Sequence, residues 1–393
     1  MLARFLAGFR SDWLPILGMT GIVGLALVLD ALQRPQLPQP ARAVLSAGRP
    51  TAEPAPWRVA EQGEVPMPAG MAAAHASTLV AMPHGHSAAV TVFWFSGDRE
   101  SAPNVQIAAS QWDRAAQRWL PARLVEDRHH LGSLLHFGVR RLGNPVAWLD
   151  GQGRLHVYVV ATGAGGWAAS RILHLRQSSA SSDLDALTFT PERVLPLSWL
   201  WNTSYLVRNA LLPLDDGGAV LPVHFELGIK VPAAVRLDAQ GHFMGMQRLS
   251  QRDFLLQPAL VALTPAHWQA YQRDESPKAR IGVVETRDAG QSWHDLPDLP
   301  LVNPDSAVAA IAVGSRNLLM AHNASPGSRN RLDLSASADG TAWQRVRTLA
   351  EGRGEDEYSY PALLVQDGDL WVTYTVDRHR IAWQRLQRVG GAP

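Results

Sequence analysis

The sequence has no cysteine, and charged residues are scarce, at 18% of 393 residues. Without thiols the chain cannot form disulfides, thiolate zinc sites, iron–sulfur clusters, a cysteine nucleophile or a lipidated cysteine anchor. Lys and Arg number 36 against 35 Asp and Glu, so the net charge of +1 creates no field that would attract nucleic acid. The apolar share of 46% suits a packed core and excludes wholesale disorder.

Only one long apolar run is present, over residues 13–29, preceded by Arg4 and Arg10 and closed by Asp30. It is near the short limit for a membrane span of about 20 residues. It is slightly long for a secretory signal, and no small-residue cleavage site follows closely. We therefore expect residues 1–33 to be an uncleaved signal anchor, with the N-terminus in the cytoplasm of a bacterial-type cell and the remaining chain periplasmic or otherwise extracytoplasmic.

The segment that follows the anchor is rich in proline and alanine. Such a composition is typical of a semi-extended spacer, which predicts a tether over residues 34–72 and a folded domain over 73–388. This length allows either several domains or one large repeat architecture.

From about Ala73 the sequence predicts short strands separated by turns. Residues 91–95, 155–160, 219–225 and 370–375 are short runs of branched and aromatic residues, and Asp-Gly turns recur between such runs. Helices of the length that an α/β fold needs are not predicted, apart from a turn or two at 265–272. Recurring hairpins over this length favour an all-β propeller of six blades over a single β-sandwich.

Two of the turns match a sequence motif. Residues 286–293 fit the form S/T-x-D-x-G-x-S/T-W, known as the Asp box, at every defining position. Residues 337–343 repeat it with one residue missing, and residues 110–119 form a stretched third copy. In this motif Asp caps its own hairpin, Gly takes the strained position and Trp packs between strands, so the motif indicates a fold and not a catalytic site.

Together with the Asp boxes, an ordered series of segments carries a family resemblance: 75–80, 93–100, 143–146, 256–260, 303–308, 322–323, 357–362 and 372–375. Over nearly all of residues 73–385 the chain resembles the sialidase-like (neuraminidase), Asp-box or BNR-repeat, six-bladed β-propeller family. Sialidases of this fold cleave a terminal sialic acid with retention. The resemblance therefore implies an arginine cluster that binds the sugar carboxylate, a tyrosine nucleophile, a carboxylate that activates it and an aspartic general acid.

Three candidate catalytic residues follow from this resemblance. Tyr358, which precedes a serine, is the candidate nucleophile, although Tyr360 shares its strand face at a spacing of two. Glu226 follows a strand and is the candidate activating carboxylate. The position expected to hold the acid is occupied by Asn104, which cannot donate an acidic proton, so Asp98 is the nearby substitute.

The candidate substrate-binding residues have polar or charged side chains, and most of them lie in or beside the matching segments. They are Arg99, Glu100, Asn104, Arg208, His224, Gln257, Asn303, His322, Arg378 and Arg380. The fourteen histidines show no metal-ligand spacing, and no cofactor is expected.

Two functions remain open from the sequence. The first is a membrane-anchored exo-glycosidase of sialidase type, which hydrolyses a terminal sialic acid or similar acidic sugar from an extracytoplasmic glycan; a lyase or other glycosidase would share its pocket. The second is a non-catalytic glycan-binding propeller that assists assembly or export of a surface polysaccharide, which Asn104 favours. The expected partners are thus an acidic glycan and the membrane, without nucleic acid.

Overall fold

A computed structural model of the chain describes residues 2–33, 35, 37–45, 57–136, 138–314 and 317–389. Within these residues the fold is mostly β, with helices α1 (Leu2–Gln33) and α2 (Arg128–Leu135) and a short 3-10 helix at Gly166–Ala169. The strands form six antiparallel sheets, which confirms the six-bladed propeller predicted from the sequence.

The strands of the sixth sheet are drawn from both ends of the chain, and the other sheets follow in chain order. The first sheet contains β2 (Ala73–Ala81), β3 (Ala88–Gly97), β4 (Gln106–Asp113), β5 (Arg118–Trp119) and β6 (Arg123–Glu126), and the second β7 (Arg141–Leu149), β8 (Leu155–Thr162), β9 (Ser170–Gln177) and β10 (Phe189–Val194). The third contains β11 (Tyr205–Val207), β12 (Leu212–Pro213), β13 (Ala219–Leu227), β14 (Ile229–Leu237) and β15 (Phe243–Arg248), and the fourth β16 (Leu255–Ala262), β17 (Trp268–Asp274), β18 (Arg280–Thr286) and β19 (His294–Val302). The fifth contains β20 (Ala309–Ala312), β21 (Leu318–Asn323), β22 (Arg331–Ser337) and β23 (Gln344–Glu351), and the sixth β24 (Tyr358–Gln366), β25 (Asp369–Val376), β26 (Arg380–Arg388) and β1 (Trp57–Glu64).

The ring closes because β1 pairs with β26, from Trp57 opposite Arg388 to Glu64 opposite Ala382. This closure satisfies the outer edge of the last sheet with the start of the folded chain. Residues 57–64 lie in the stretch that the sequence analysis assigned to the tether, so the propeller begins at Trp57 and not at Ala73.

Six apolar clusters hold the ring together, and each one lies between two neighbouring sheets. Between the sixth and first sheets, Trp112, Trp119, Trp371 and Trp383 pack with ring centroids 4.8–6.0 Å apart. Because each sheet is covered on both faces by its neighbours in the ring, inner strands such as β3 are buried along their whole length.

The two ends of the propeller differ in their connections. We call the end at which the innermost strand of each sheet begins the upper face; it carries the loops that join one sheet to the next and those between second and third strands. The opposite end, the lower face, carries the Asp-box turns between β18 and β19 and between β22 and β23. In the first of these, Asp288 accepts hydrogen bonds from Thr286 Oγ1 at 2.7 Å and Ser292 N at 2.9 Å.

Two local expectations are corrected by the structure. The helical turn expected at 265–272 is a bend followed by β17, because residues 268–271 pair with β16 on one side and with β18 on the other in a buried sheet. Helix α2 was not predicted; it is capped by Asp127, whose carboxylate accepts from the backbone N–H groups of His129 and His130.

The N-terminal segment consists of an apolar helix and a stretch that is hydrogen-bonded to the propeller. Within α1, Pro15–Gln33 is apolar and long enough to cross a membrane, with a mean hydropathy of 1.9, and it projects from the propeller with little burial. Further on, Arg42 N donates to Asp215 at 2.9 Å, Ala43 N to Pro265 O at 2.8 Å and Val44 N to Pro213 O at 2.9 Å. These bonds fix residues 42–44 at the lower face, whereas residues 34, 36 and 46–56 of the expected tether lie outside the described residues.

Candidate functional site

The innermost strands are bulged near the upper face, and these bulges build the candidate site. Register shifts interrupt β2 between His75 and Thr78, β16 between Leu256 and Ala259, and β24 between Ser359 and Ala362. The residues at the bulges, Ala76, Gln257 and Tyr360, have φ of 56°, 53° and 53°. A bulge of this kind breaks the alternation of side chains, so it can turn a residue toward the propeller axis.

Tyr360 is the centre of the resulting cluster. Its ring lies 4.2 Å from the ring of His75, centroid to centroid, and 5.0 Å from the guanidinium carbon of Arg208. Its hydroxyl accepts a hydrogen bond from Gln257 Nε2 at 3.3 Å. Three different sheets and the break between β11 and β12 therefore meet at this one phenol.

Arg208 forms the floor of the cluster. It is 2% exposed, and it donates to Pro361 O at 2.6 Å and to Ser77 O at 3.3 Å. Burial lowers the pKa of Arg208 to about 10, so the guanidinium remains charged at neutral pH. Its hydrogen bonds go to neutral carbonyls, so its charge gives the floor of the cluster a positive potential.

Three further arginines lie around this centre in ion pairs with acidic residues. Arg273 Nε is 2.6 Å from Asp305 Oδ1, and Arg329 Nη1 is 3.1 Å from Glu357 Oε1. Arg378 Nε is 3.1 Å from Glu357 Oε2, and its Nη1 also bonds to Glu100. Burial alone would raise the pKa of Glu357, but the hydrogen bond from Ser359 and the charges of Arg378 and Arg329 hold it at about 2.

Arg273 fixes the orientation of the Gln257 amide. Its Oε1 faces Arg273 Nη1 at 3.5 Å, so Nε2 is the atom directed at Tyr360. An amide nitrogen of this kind donates a hydrogen bond and cannot remove a phenol proton.

His75 completes the inner wall and is neutral. Its side chain is buried, and burial, helped by the charge of Arg378, lowers its pKa to about 3. Because the imidazole packed against the Tyr360 ring is neutral, the positive charge of the cluster comes from its guanidinium groups.

Several of the sequence candidates meet here and others connect to them. Arg208, Gln257, Arg378 and Glu100 lie in the cluster around Tyr360 and Glu357. Glu226 reaches it through a chain of ion pairs: Glu226 to Lys230 at 3.3 Å, Lys230 to Glu275 at 3.5 Å, and Glu275 to Arg273 at 3.7 Å.

Glu226 itself is held by its own neighbours and not by a tyrosine. The close approach of His224 and the charge of Lys230 lower its pKa to about 2, against the opposing effect of burial. His224 is fully buried beside it, with His224 Nε2 3.4 Å from Glu226 Oε2. This pair stiffens the end of β13 at the rim of the site.

Tyr358 and Arg380 lie away from the cluster. The Tyr358 ring packs on Tyr374, with centroids 6.2 Å apart, and its side chain lines a shallow surface depression with Arg353 and Asp356. Arg380 Nη1 is 2.8 Å from Glu64 Oε1 on the outermost strand. The bulge after Ser359 separates Tyr358 from Tyr360, so the two tyrosines do not share a face as the simple alternation of a strand would require.

Asp98, Arg99 and Asn104 form the exposed loop between β3 and β4 on the upper face. Asp98 N donates to Asn104 Oδ1 at 3.4 Å, which closes the loop on itself. From this loop it is Glu100 that reaches the cluster, through Arg378.

Asn303 and His322 have hydrogen bonds that support the backbone. Asn303 Nδ2 donates to Ser306 O at 2.9 Å and its Oδ1 accepts from Ser306 N at 2.9 Å, which shapes the turn before β20. His322 Nε2 lies 2.9 Å from Ser335 Oγ inside the fifth sheet. Both side chains are buried.

Five residues of the cluster were not among the sequence candidates: His75, Arg273, Asp305, Arg329 and Glu357. Three of them, His75, Asp305 and Glu357, lie within segments that carry the family resemblance. Arg273 lies near the end of β17 and Arg329 in the loop after β21, at the upper-face ends of second strands in the fourth and fifth sheets, and no local motif marks either of them.

The fold and the site place the chain in the class of six-bladed β-propellers that carry a charged site on one face. Comparison with known proteins gives the family. The family model for the BNR repeat-like domain matches residues 89–372, so the chain belongs to this family and has the sialidase-like propeller fold. No curated protein matches the chain.

Solved structures share the fold at low sequence identity. The chain is similar to the Hadza microbial sialidase Hz136, with a TM-score of 0.63 and 16% identity over 81% of this chain and 66% of that one. It is similar to the Trypanosoma rangeli sialidase, with a TM-score of 0.62 and 14% identity over 84% of this chain and 58% of that one. A protein of unknown function from Dyadobacter fermentans DSM 18053 matches with a TM-score of 0.63 and 11% identity over 84% of this chain and 99% of that one. The chain thus spans less than two thirds of the length of these two sialidases.

Proposed function

We propose that this chain binds an acidic sugar of a glycan at the Tyr360 cluster and does not hydrolyse it. The observation that carries the proposal is the hydrogen bond from the Gln257 amide to the Tyr360 hydroxyl, at 3.3 Å. A tyrosine nucleophile needs a base that takes its proton as it attacks, and a donor amide cannot do this.

The described carboxylate between the cluster's arginines is also unsuited to the role of general acid. A carboxyl group that donates a proton at neutral pH needs a raised pKa. Glu357, which lies between two of the cluster's arginines, has its pKa lowered to about 2 and is bound by both guanidinium groups. Asn104, in the exposed loop, carries an amide where the family resemblance implies an acid.

Binding of a carboxylate suits the same residues well. Arg273 and Arg329 are held from the side by Asp305 and Glu357, so their remaining N–H groups are positioned before a ligand arrives. The buried charge of Arg208 raises the positive potential beneath Tyr360. Solved structures of the Trypanosoma rangeli sialidase include a complex with sialic acid, which makes sialosides the first ligands to test.

We place this site in a membrane protein whose α1 spans the bilayer, with the propeller on the extracytoplasmic side. The support is the apolar stretch Pro15–Gln33 and the arginines that precede it in the sequence. A binding propeller held there would retain surface polysaccharide during its assembly or export.

The test uses the full chain in detergent, with a fluorogenic sialoside for hydrolysis and immobilised acidic glycans for binding. We expect glycan binding and no release of the fluorophore above that of Tyr360→Phe. Tyr358→Phe is the matched control, because that ring packs outside the cluster. Release by the wild type that is lost in Tyr360→Phe and kept in Tyr358→Phe would overturn the proposal in favour of hydrolysis, and the reverse pattern would identify Tyr358 as the nucleophile.

A gain-of-function variant sharpens the test. Gln257→Glu puts a carboxylate beside the Tyr360 hydroxyl, and a fluorogenic phenol leaves without help from an acid. We expect slow release of the fluorophore by Gln257→Glu, abolished in the double variant Gln257→Glu/Tyr360→Phe. No binding of any acidic glycan by the wild type would contradict the proposed function itself.

A further inference from the structure

The upper face carries a cluster of exposed apolar side chains at one edge of the propeller. Trp199, Leu200 and Trp201 are 56%, 47% and 51% exposed, in the loop between the second and third sheets. Ile229 is 50% exposed at the β13–β14 turn and Phe254 is 50% exposed before β16. Exposed patches of large apolar groups mark surfaces that are covered in the working protein.

These side chains share one edge because the loops that carry them are bonded to one another. Thr203 and Ser204 both donate to Ala168 O, and Glu226 N donates to Ser204 O at 2.8 Å, which joins the tryptophan loop to the β13–β14 turn. On the other side, Lys230 is paired with Glu275, whose backbone N donates to Phe254 O at 3.0 Å. We call this edge, with Trp199–Trp201, Leu227, Ile229 and Phe254, the apolar rim.

The end of α1 is attached to the same rim. Asp30 is 6% exposed, and its Oδ1 accepts from Ser198 Oγ at 3.3 Å and from Leu200 N at 3.4 Å. The apolar run of α1 ends one residue earlier, at Leu29. A residue at the charged end of a membrane span lies near the edge of the hydrocarbon, so these bonds bring the tryptophan loop to that depth.

The tryptophan loop is also held in shape, which favours insertion of its tip. Ser198 Oγ accepts from Trp201 N at 3.0 Å, and Asn202 bonds to Leu197 N at 3.0 Å and to Leu195 O at 2.9 Å. A loop that is already ordered loses little entropy when its side chains enter a new environment. Tryptophan is the side chain most typical of the interface between lipid and water.

From this geometry we propose that the apolar rim inserts into the interface of the bilayer that α1 spans, so that the upper face is turned toward the membrane. The inference rests on the membrane span proposed for α1, and its consequence for the ligand rests on the proposed function. Glu226, Lys230, Glu275 and Arg273 link the rim to the Tyr360 cluster by successive ion pairs, so the site opens on the membrane side. The ligand class that fits this placement is an acidic glycan attached to a lipid.

The chain contains no cysteine, so a single introduced cysteine is the only thiol that a label can modify. Single variants Trp201→Cys and Ile229→Cys of the full chain are labelled with an environment-sensitive fluorophore and placed in phosphatidylcholine nanodiscs with or without doxyl-labelled lipid. Gln152→Cys, in an exposed turn of the lower face, is the matched control. We expect blue-shifted emission and loss of intensity with doxyl lipid at Trp201 and Ile229, and neither change at Gln152.

Leu25→Cys in α1 separates the two ways in which the inference fails. Quenching at Leu25 with none at Trp201 and Ile229 would leave the anchor in place and overturn the orientation of the propeller. No quenching at Leu25 would overturn the membrane span and the inference with it. Both readouts are independent of glycan binding, so neither outcome depends on the proposed function.

A second measurement addresses the ligand class. Binding of a sialylated glycolipid in the same nanodiscs is compared with binding of its free oligosaccharide head group. We expect the lipid-linked form to bind more tightly, and equal or weaker binding would contradict a membrane-borne ligand. If neither form binds while the labels at Trp201 and Ile229 are quenched, the proposed function fails and the orientation stands.

Discussion

The Asp-box turns and the Tyr360 cluster both use backbone at positive φ, yet they use it differently. In the Asp boxes Gly290 at 85° and Gly340 at 80° adopt this conformation at little cost, and Ala289 of the first box, at 55°, is the exception. In the cluster they are Ala76, Gln257 and Tyr360, whose side chains make it more costly. The difference shows that the Asp boxes rely mainly on glycine for this conformation, whereas the cluster accepts strain at three residues whose side chains it uses.

The largest expected effect tests the glycine side of this comparison. A Cβ at Gly340 would lie 2.1 Å from Gln269 Oε1 and 2.7 Å from the Tyr271 hydroxyl, in addition to the strain of its φ. We expect Gly340→Ala to lower the free energy of unfolding by about 3 kcal/mol, measured by urea denaturation.

Gly368 provides the matched control, since its φ of 82° is nearly the same and no atom lies within 4 Å of its added Cβ. Gly368→Ala isolates the backbone cost, and we expect about 1 kcal/mol. Equal losses in the two variants would show that the contacts of Gly340 contribute nothing.

The next effect tests whether the charged cluster binds a ligand. Arg273→Gln removes one charged donor of the site, and we expect glycan binding to weaken by roughly 10- to 100-fold, which corresponds to about 1.5–3 kcal/mol. Binding is measured by calorimetry at a pH near neutrality.

Arg380→Gln is the control, because Arg380 is also ion-paired but lies on the outermost strands. Unchanged binding in Arg380→Gln with a loss in Arg273→Gln supports the cluster as the binding site. A similar loss in both variants would indicate a nonspecific charge effect, and thermal unfolding of each variant checks that the fold is intact.

The pH dependence of stability distinguishes the buried histidines from the Asp box, because the two kinds of group titrate in different pH ranges. Burial lowers the pKa of His75 to about 3 and that of His174 to about 2, so both are neutral in the folded chain. In the unfolded chain each binds a proton below about 6.5, so stability falls as the pH falls below that value. We expect a loss of about 1.4 kcal/mol per pH unit for each such histidine, measured by unfolding at pH 7, 6 and 5.

The Asp box responds at lower pH. Backbone hydrogen bonds from Ala342 and Thr341 lower the pKa of Asp339 to about 2, so its contribution to stability is present above the ordinary carboxyl pKa and is lost as the pH falls toward 2. His174→Gln should flatten the dependence between pH 7 and 5. A wild type with constant stability over that range would contradict the neutral state of these histidines.

The smallest expected effect lies in the first Asp box. Ser292 donates from its hydroxyl to Asp288 at an exposed turn, while its backbone N–H also bonds to that carboxylate. Ser292→Ala keeps the backbone bond, so we expect a loss of only about 0.5–1 kcal/mol. A loss as large as that of Gly340→Ala would mean that the hydroxyl, and not the glycine, controls the turn.

The sequence was sufficient for features whose causes are local. Thr286, Asp288 and Ser292 lie within seven residues, and the hydrogen bonds that they form follow from their spacing alone. The strand runs and Asp-Gly turns predicted the propeller for the same reason, because each hairpin is specified by adjacent residues. Helix α2 was not predicted, since it is one short helix that depends on the Asp127 cap and on packing of Leu131.

The residues of the candidate site likewise divide into those that the sequence predicted and those that only the fold brings together. Arg208, Gln257, Arg378 and Glu100 were candidates from the sequence, but the choice between Tyr358 and Tyr360 stayed open there, because a bulge after Ser359 breaks the period of two. Arg273 and Arg329 lie 56 residues apart and meet around Tyr360 only because the fourth and fifth sheets are neighbours in the ring.

By itself, then, the sequence determined the hairpins, the Asp boxes, the number of blades and the apolar helix, which are set by local spacing and by burial period. Tertiary structure decided which tyrosine faces the axis, that Gln257 lies against its hydroxyl, and that β1 closes the ring beside β26. It also decided that Asp30 docks beside Trp199–Trp201. The physical reason is that closure of the ring brings residues from opposite ends of the chain into hydrogen-bond range, and no local pattern records those distances.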